Sequence, residues 1–212
     1  MNIEEEVKKR GIKNLIHFTP TINLMSIIEQ KALISRAGLE SLDIEKFDVP
    51  DYVQFTDSIR YDDKNYINLS ITTSNKFLFK RFRERTQHDP TILWCVLLIK
   101  TEPLYWQDTL FSVTNAASRA AQRYGINGDV ETFKKMFSNE LMTKQKISRK
   151  TNYPENQTTD FQAEVLVKDK LPMFCIEKVC FPDEESKAAT LAAFSFLDFD
   201  ASIFKVDKSL FL

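Results

Sequence analysis

The chain has 212 residues, 43% of them hydrophobic and 12% aromatic, and its 29 basic and 30 acidic side chains leave a formal charge of −1. This composition excludes a disordered or fibrous chain and is enough for one core, so a single domain over residues 1–212 is expected. Four glycines stand against seventeen phenylalanines, no G-x-G-x-x-G or Walker phosphate loop is present, and any grip on nucleic acid must come from a local patch rather than from bulk charge.

The first residues, MNIEEEVKKR, are charged and lack the apolar region of a leader peptide. No stretch approaches the ~20 apolar residues of a membrane span. A soluble, unprocessed, cytoplasmic protein without membrane contact is expected. Cys95, Cys175 and Cys180 are odd in number and none forms a C-x-x-C pair. They suit buried thiols in a reducing compartment better than a zinc or redox site, and with only two histidines no metal is expected.

In chain order, NLIHFT (14–19) alternates as a strand, with Leu15, His17 and Thr19 on one face and Ile16 and Phe18 on the other. Pro20 ends it, and TINLMSIIEQKALIS reads as a helix with Leu24, Ile27, Ile28 and Ala32 on its apolar stripe. Residues 35–65 are polar and irregular. YINLSIT is a strand that sends Ile67, Leu69 and Ile71 one way and Asn68, Ser70 and Thr72 the other.

SNKFLFKRFRERTQ, opened by Ser74 or Asn75 as N-cap, reads as a short basic helix with its phenylalanines in the core. Its charges form either a wet face or a track for a nucleic-acid backbone. TILWCVLLIK (91–100) is the longest apolar run and should be the central strand. TNAASRAAQRY and VETFKKMFSNELM read as helices, the second with Val130, Phe133, Phe137 and Leu141 on one stripe. FCIEKVCF reads as a strand, and the chain closes on a helix at TLAAFSF and a strand at SIFKVD.

TDFQAEVLVKDKLP (159–172) reads as a strand with Gln162 and Glu164 on one face and Phe161, Ala163, Val165 and Val167 on the other. An edge strand with a solvated face accounts for Glu164 unless the rest of the chain supplies a cleft. His17 likewise has two readings. Its imidazole either bonds one backbone carbonyl and stops there, or joins Thr19 and Asn23 in presenting hydrogen-bonding groups to a polar ligand. The polar stretch before Glu164 contains Lys144, Lys146, Arg149, Lys150 and Tyr153. It suits an exposed loop, or one whose cations meet phosphates while Tyr153 stacks on a base.

IHFTPTINLMSIIEQKALISR, Arg60 before YINLSI, then TNAAS and FQAEVLV together resemble the DarT family of bacterial DNA ADP-ribosyltransferase toxins, and more its guanine-modifying than its thymine-modifying branch. The resemblance runs from about residue 12 to about residue 182. It implies an α+β ADP-ribosyltransferase fold in which two facing β-sheets with flanking helices form a cleft for NAD+, the co-substrate. It assigns His17 and Thr19 to the nicotinamide-side ribose and carboxamide, Asn23 to the adenosine or phosphate side, and Ser70 to the middle strand. Arg60 is carried over as an NAD+-contacting and catalytic arginine, and Glu164 as the catalytic glutamate.

The chemistry fits. Cleaving the nicotinamide–ribose bond builds positive charge that one carboxylate stabilises, and the same carboxylate can take the proton of an attacking base amine. Q-x-E at this point resembles guanine-modifying enzymes of the pierisin type, whereas arginine-modifying relatives carry E-x-E. Gln162 both donates and accepts, as the guanine edge requires. The resemblance therefore implies a toxin that transfers ADP-ribose to guanine in single-stranded DNA, with Gln162, Arg149 and Tyr153 on the acceptor and a macrodomain antitoxin as partner. Transfer to RNA and a non-catalytic NAD- or nucleic-acid-binding module are the alternatives.

Overall fold

In the computed structural model, which describes residues 2–43 and 63–212, the chain opens with helix α1 (Ile3–Arg10). The Asn2 side chain accepts from the Glu5 amide while the Glu5 carboxylate accepts from the Asn2 amide, so two donors that the first turn leaves unpaired are satisfied reciprocally. Gly11 ends the helix at φ 65°, a left-handed conformation that a side chain would strain.

Strand β1 (Leu15–Pro20) runs directly into α2 (Thr21–Glu29). That helix is shorter than its apolar stripe predicts. Lys31 turns the chain at φ 51°, and Ala32–Ile34 forms β2, whose backbone pairs with β9 (Lys170–Pro172) instead of continuing the helix. Ser35 caps α3 (Arg36–Ser41), its hydroxyl accepting from the Gly38 amide. β3 (Tyr66–Ile71), α4 (Lys76–Thr86) and β4 (Trp94–Ile99) fall where the sequence predicts, with Asn75 as the cap of α4.

After β5 (Leu110–Ser112), the two expected helices are reduced to α5 (Arg119–Tyr124) and α6 (Val130–Lys135). TNAAS is a loop before α5. The second segment leaves its helix early to form a hairpin of β6 (Glu140–Met142) with β7 (Lys146–Ser148), which places Leu141 on a strand. β8 spans only Glu164–Lys168, preceded by turns. β10 (Ile176–Phe181) and β11 (Phe204–Val206) fall within the segments expected, whereas the last helix, expected at TLAAFSF, is α7 (Glu184–Ala193), which begins six residues earlier and ends before Phe194.

Seven strands form one sheet in the order β11-β10-β4-β1-β3-β8-β5, so the architecture is α+β. The two sheets of the expected cleft are wings of this single sheet. β1 pairs with β4 along all six of its residues, but with β3 only at Leu15↔Ile71 and Ile16↔Ser70. Beyond Ile16 the neighbouring strands part. Leu15, Leu97, Ile99, Leu69, Ile71, Val165 and Phe111 build the core on one side of the sheet. On the other side Ile16, Val96, Trp94 and Cys180 meet Phe79 and Phe82 of α4, with Phe211 from the C-terminus. Burying each of those helix phenylalanines contributes about 1.5–3 kcal/mol, and stacking of Phe79 on Phe18 at 4.5 Å adds to it.

Candidate active site

Glu164 stands at the first position of β8, directly opposite Ser112 of β5. The β3–β8 ladder ends at Leu69↔Val165, and Ser70 follows Leu69 on β3 as Glu164 precedes Val165 on β8. Paired residues of an antiparallel ladder share a face, so Glu164, Ser70 and Ser112 sit opposite the core side chains Leu69 and Val165. The Ala116 amide in the TNAAS loop donates to the Glu164 carboxylate at 2.7 Å. A carboxylate that accepts a backbone N–H is held in one orientation. The loop is itself braced, because Asn115 Oδ1 accepts from the Ala117 amide and the Ser112 hydroxyl donates to the Thr114 carbonyl.

His17 fills the place where the sheet splits. Its Nδ1 lies 3.1 Å from the Asn68 carbonyl of β3, so an imidazole replaces the ladder bond that β1 no longer makes there. A carbonyl only accepts, so Nδ1 carries the proton and Nε2 keeps its lone pair. Desolvation by the surrounding protein holds the imidazole below its ordinary pKa, outweighing the opposing bond to Asn68. The backbone-bonded reading of His17 is the one observed, and it leaves Nε2 as an acceptor.

Thr19 is buried two residues on, and its hydroxyl accepts from Asn23 Nδ2 at 3.2 Å. The pairing spans one turn from the end of β1 into α2, fixing both side chains beside His17. Arg60 lies outside the described residues.

Fifteen residues before Glu164 the structure departs from expectation. Arg149, expected on nucleic-acid phosphates, spends its guanidinium on its own loop. It donates to the Gln157 carbonyl at 2.7 Å and the Pro154 carbonyl at 2.6 Å, and it lies over the Tyr153 ring at 5.0 Å. Three carbonyl- or ring-directed contacts make Arg149 a clamp, with one face of Tyr153 covered by it. Further ties come from Thr72, whose hydroxyl donates to the Asn156 carbonyl at 2.7 Å, and from Arg10, 3.5 Å from Glu155.

Gln162 lies in the turn before β8 rather than in the strand, so its relation to Glu164 does not come from strand alternation. Asp160 makes that turn. It is fully buried, its Oδ1 accepts from the Gln162 amide at 2.9 Å and its carbonyl accepts from the Ala163 amide at 3.0 Å. The Gln162 side-chain amide makes no hydrogen bond among the described residues and is half-buried. Ala116 and Asp160 escape a reading of side-chain types, because one acts through its backbone amide and the other through a local turn. The TNAAS and TDFQAE stretches were their only signals.

The three cysteines are buried and free, with Cys180 pushed up to about 11 by burial, so at neutral pH they are thiols rather than nucleophiles. Among the described residues no cluster of His, Cys, Asp and Glu is suited to a metal, and no helix is long and apolar enough to cross a membrane.

Known structures share this fold. A Thermosipho africanus DarTG in complex with ADP-ribose superposes with a TM-score of 0.61 at 17% identity, covering 94% of this chain and 51% of that one. This chain thus spans about half the length of that DarTG chain. A Thermus sp. 2.9 DarT in complex with carba-NAD+ gives 0.60 at 13% identity over 94% of this chain and 98% of that one. The same Thermus protein in complex with ADP-ribosylated single-stranded DNA gives 0.60 at 11% identity over 95% and 97%. Identities this low speak for the fold. No curated protein sequence matches. The sequence profile of the family described as "ssDNA thymidine ADP-ribosyltransferase, DarT" matches residues 16–204, nearly the whole chain, and the chain belongs to that family.

Proposed function

We propose that this chain is a toxin that transfers ADP-ribose from NAD+ to guanine in single-stranded DNA, with one domain over residues 1–212 holding both substrates. The observation that carries the transferase reading is the Glu164 carboxylate fixed by the Ala116 amide beside the point where β1 and β3 part. The side chains there fit NAD+. The His17 Nε2 lone pair accepts from a ribose hydroxyl, Thr19 and Ser70 offer hydroxyls, and Asn23 reaches the adenosine or phosphate side. Arg60 completes the set by family resemblance.

As the glycosidic bond breaks, nicotinamide leaves with the bonding electrons, and the ionised Glu164 stabilises the positive charge growing at the ribose carbon. The lone pair of the acceptor nitrogen forms the new bond, and Glu164 takes the proton that this nitrogen gives up. Water is the competing nucleophile. Gln162, in the turn beside Glu164 and with its amide uncommitted, supports guanine as acceptor. The family description names thymidine and supports thymine as the second reading. A macrodomain antitoxin that removes the adduct is the partner the resemblance supplies, and the cytoplasm is where such a toxin meets DNA.

The test incubates the protein with NAD+ and single-stranded DNA, RNA and protein, using oligonucleotides in which guanine or thymine is the sole reactive base. The adduct is then located by mass spectrometry. A mass increase of one ADP-ribose on guanine is expected. Modification of thymine alone gives the acceptor to the second reading, and modification only of protein overturns the nucleic-acid reading.

A further inference from the structure

We infer that Phe77 and Phe161 form a stacking platform for an unpaired base flanking the acceptor base, an inference that rests on the nucleic-acid transferase reading. Helix α4 buries Phe79 and Phe82 against the sheet, yet Phe77, in its first turn, is 71% exposed. Its ring meets Phe161 at 4.9 Å with the planes 50° apart. Of the exposed phenylalanines Phe77, Phe174 and Phe196, Phe77 alone contacts a second ring among the described residues.

Position and charge together point to a nucleic acid. Phe161 is the residue before Gln162 and three before Glu164, so the ring pair lies on the chain segment that delivers the catalytic carboxylate. One turn along α4 from Phe77 come Lys80 and Arg81, both exposed, on the same helical face. Lys80 is shared with Glu84 at 3.7 Å, a solvated pair, whereas Lys76 and Arg81 have no acidic partner among the described residues. An exposed aromatic surface flanked by uncommitted cations is the arrangement single-strand binders use. The ring takes the π-face of any base, and the cations meet the phosphates on either side. A water-facing Phe77 adds little to folding, unlike Phe79 and Phe82 on the same helix. Stacking a neighbouring base there would hold the strand so that the acceptor base reaches Gln162 and Glu164.

The test titrates the protein, without NAD+, into short single-stranded oligodeoxynucleotides that carry 2-aminopurine at successive positions around the acceptor base. Stacking is expected to quench the probe at a flanking position. Phe77→Ala is expected to abolish that quench and to weaken oligonucleotide binding roughly tenfold, while Phe77→Trp keeps both. The melting transition of the alanine variant shows that it folds. Parent and Phe77→Ala with equal affinity and equal quench would overturn the platform while leaving the transferase reading intact, and would leave the ring pair as a surface for a protein partner. A parent that labels no nucleic acid with NAD+ present overturns both.

Discussion

The Glu164 carboxylate and the Ala116 amide are joined at 2.7 Å across 48 positions of sequence. The contact gives the TNAAS segment its purpose, since a backbone donor orients the carboxylate without adding a side chain that would compete for the substrate. Charge and orientation are separable here. Glu164→Gln keeps an oxygen for the Ala116 amide and removes the negative charge. The variant is expected to fold and bind NAD+ like the parent while losing transfer by about two to three orders of magnitude, because the carboxylate acts on charge that appears only in the transition state. Calorimetric NAD+ titration and a transfer assay on the same preparation check this, and parental turnover would remove Glu164 from the mechanism.

The split between β1 and β3 makes His17 sensitive to pH. Protein around the ring holds its folded pKa below the ordinary value of 6.5, so the unfolded chain binds the proton more readily than the native one. The sign follows: this contribution to stability is complete above the unfolded pKa and is lost as pH falls from there toward the folded value. Protonation also converts Nε2 from acceptor to donor. NAD+ affinity should therefore fall together with the melting temperature on going from about pH 7 to pH 5, and His17→Ala should flatten both profiles. At neutral pH the same substitution should cost NAD+ binding about 0.5–1.5 kcal/mol, the worth of one hydrogen bond. A pH-independent parent affinity would place His17 outside the site.

Much of this was legible from alternation and stripes. β1, β3 and β4 follow from their apolar patterns, and the faces deduced for Leu15, Ile16, Leu69 and Ile71 are the faces observed. Helix α1, with its Asn2–Glu5 capping box and left-handed Gly11, is not among the elements read from the sequence, where the stretch is only charged. What periodicity overstates is length. Ala32–Ile34 and Leu141 continue helical stripes, but the distant β9 takes the first into a ladder and the hairpin with β7 takes the second. Helical periodicity reports neither pairing. Phe77 and Phe79 are two apart on one helix, and only contact with the sheet decides that one is core and the other surface. Arg149 reads as a phosphate ligand because the carbonyls it binds belong to a turn that exists only once the loop has folded.

That clamp separates two roles by experiment. An arginine on a phosphate contributes about one unit to the slope of log affinity against log salt, whereas an arginine binding its own loop contributes nothing to it. Arg149→Ala is expected to leave the salt slope unchanged, to raise amide exchange across residues 149–159, and to lower transfer by loosening the approach to Glu164. Arg149→Lys should not rescue, because an ammonium cannot hold two carbonyls and cover the Tyr153 ring at once. A slope reduced by about one unit in Arg149→Ala would return this residue to the nucleic acid.

In the proposed function Gln162 carries the choice of acceptor. Its backbone is fixed by the buried Asp160, while its side-chain amide is uncommitted among the described residues, so the substitution Gln162→Ala removes a recognition group without removing the bond that shapes the turn. Transfer to DNA should fall by roughly ten- to a hundredfold, the loss of a base-edge contact of about 1–3 kcal/mol. Slow hydrolysis of NAD+ should persist, because water needs no base recognition. Asp160→Ala removes the acceptor of the Gln162 amide and should reproduce the loss, whereas Asp160→Asn keeps that acceptor and should restore transfer. Inosine in place of guanine removes the exocyclic amine and is expected to abolish labelling by the parent. Efficient labelling of inosine-containing DNA, or of oligonucleotides whose sole base is thymine, would withdraw the guanine amine as acceptor and leave the ADP-ribosyltransferase chemistry of Glu164 standing.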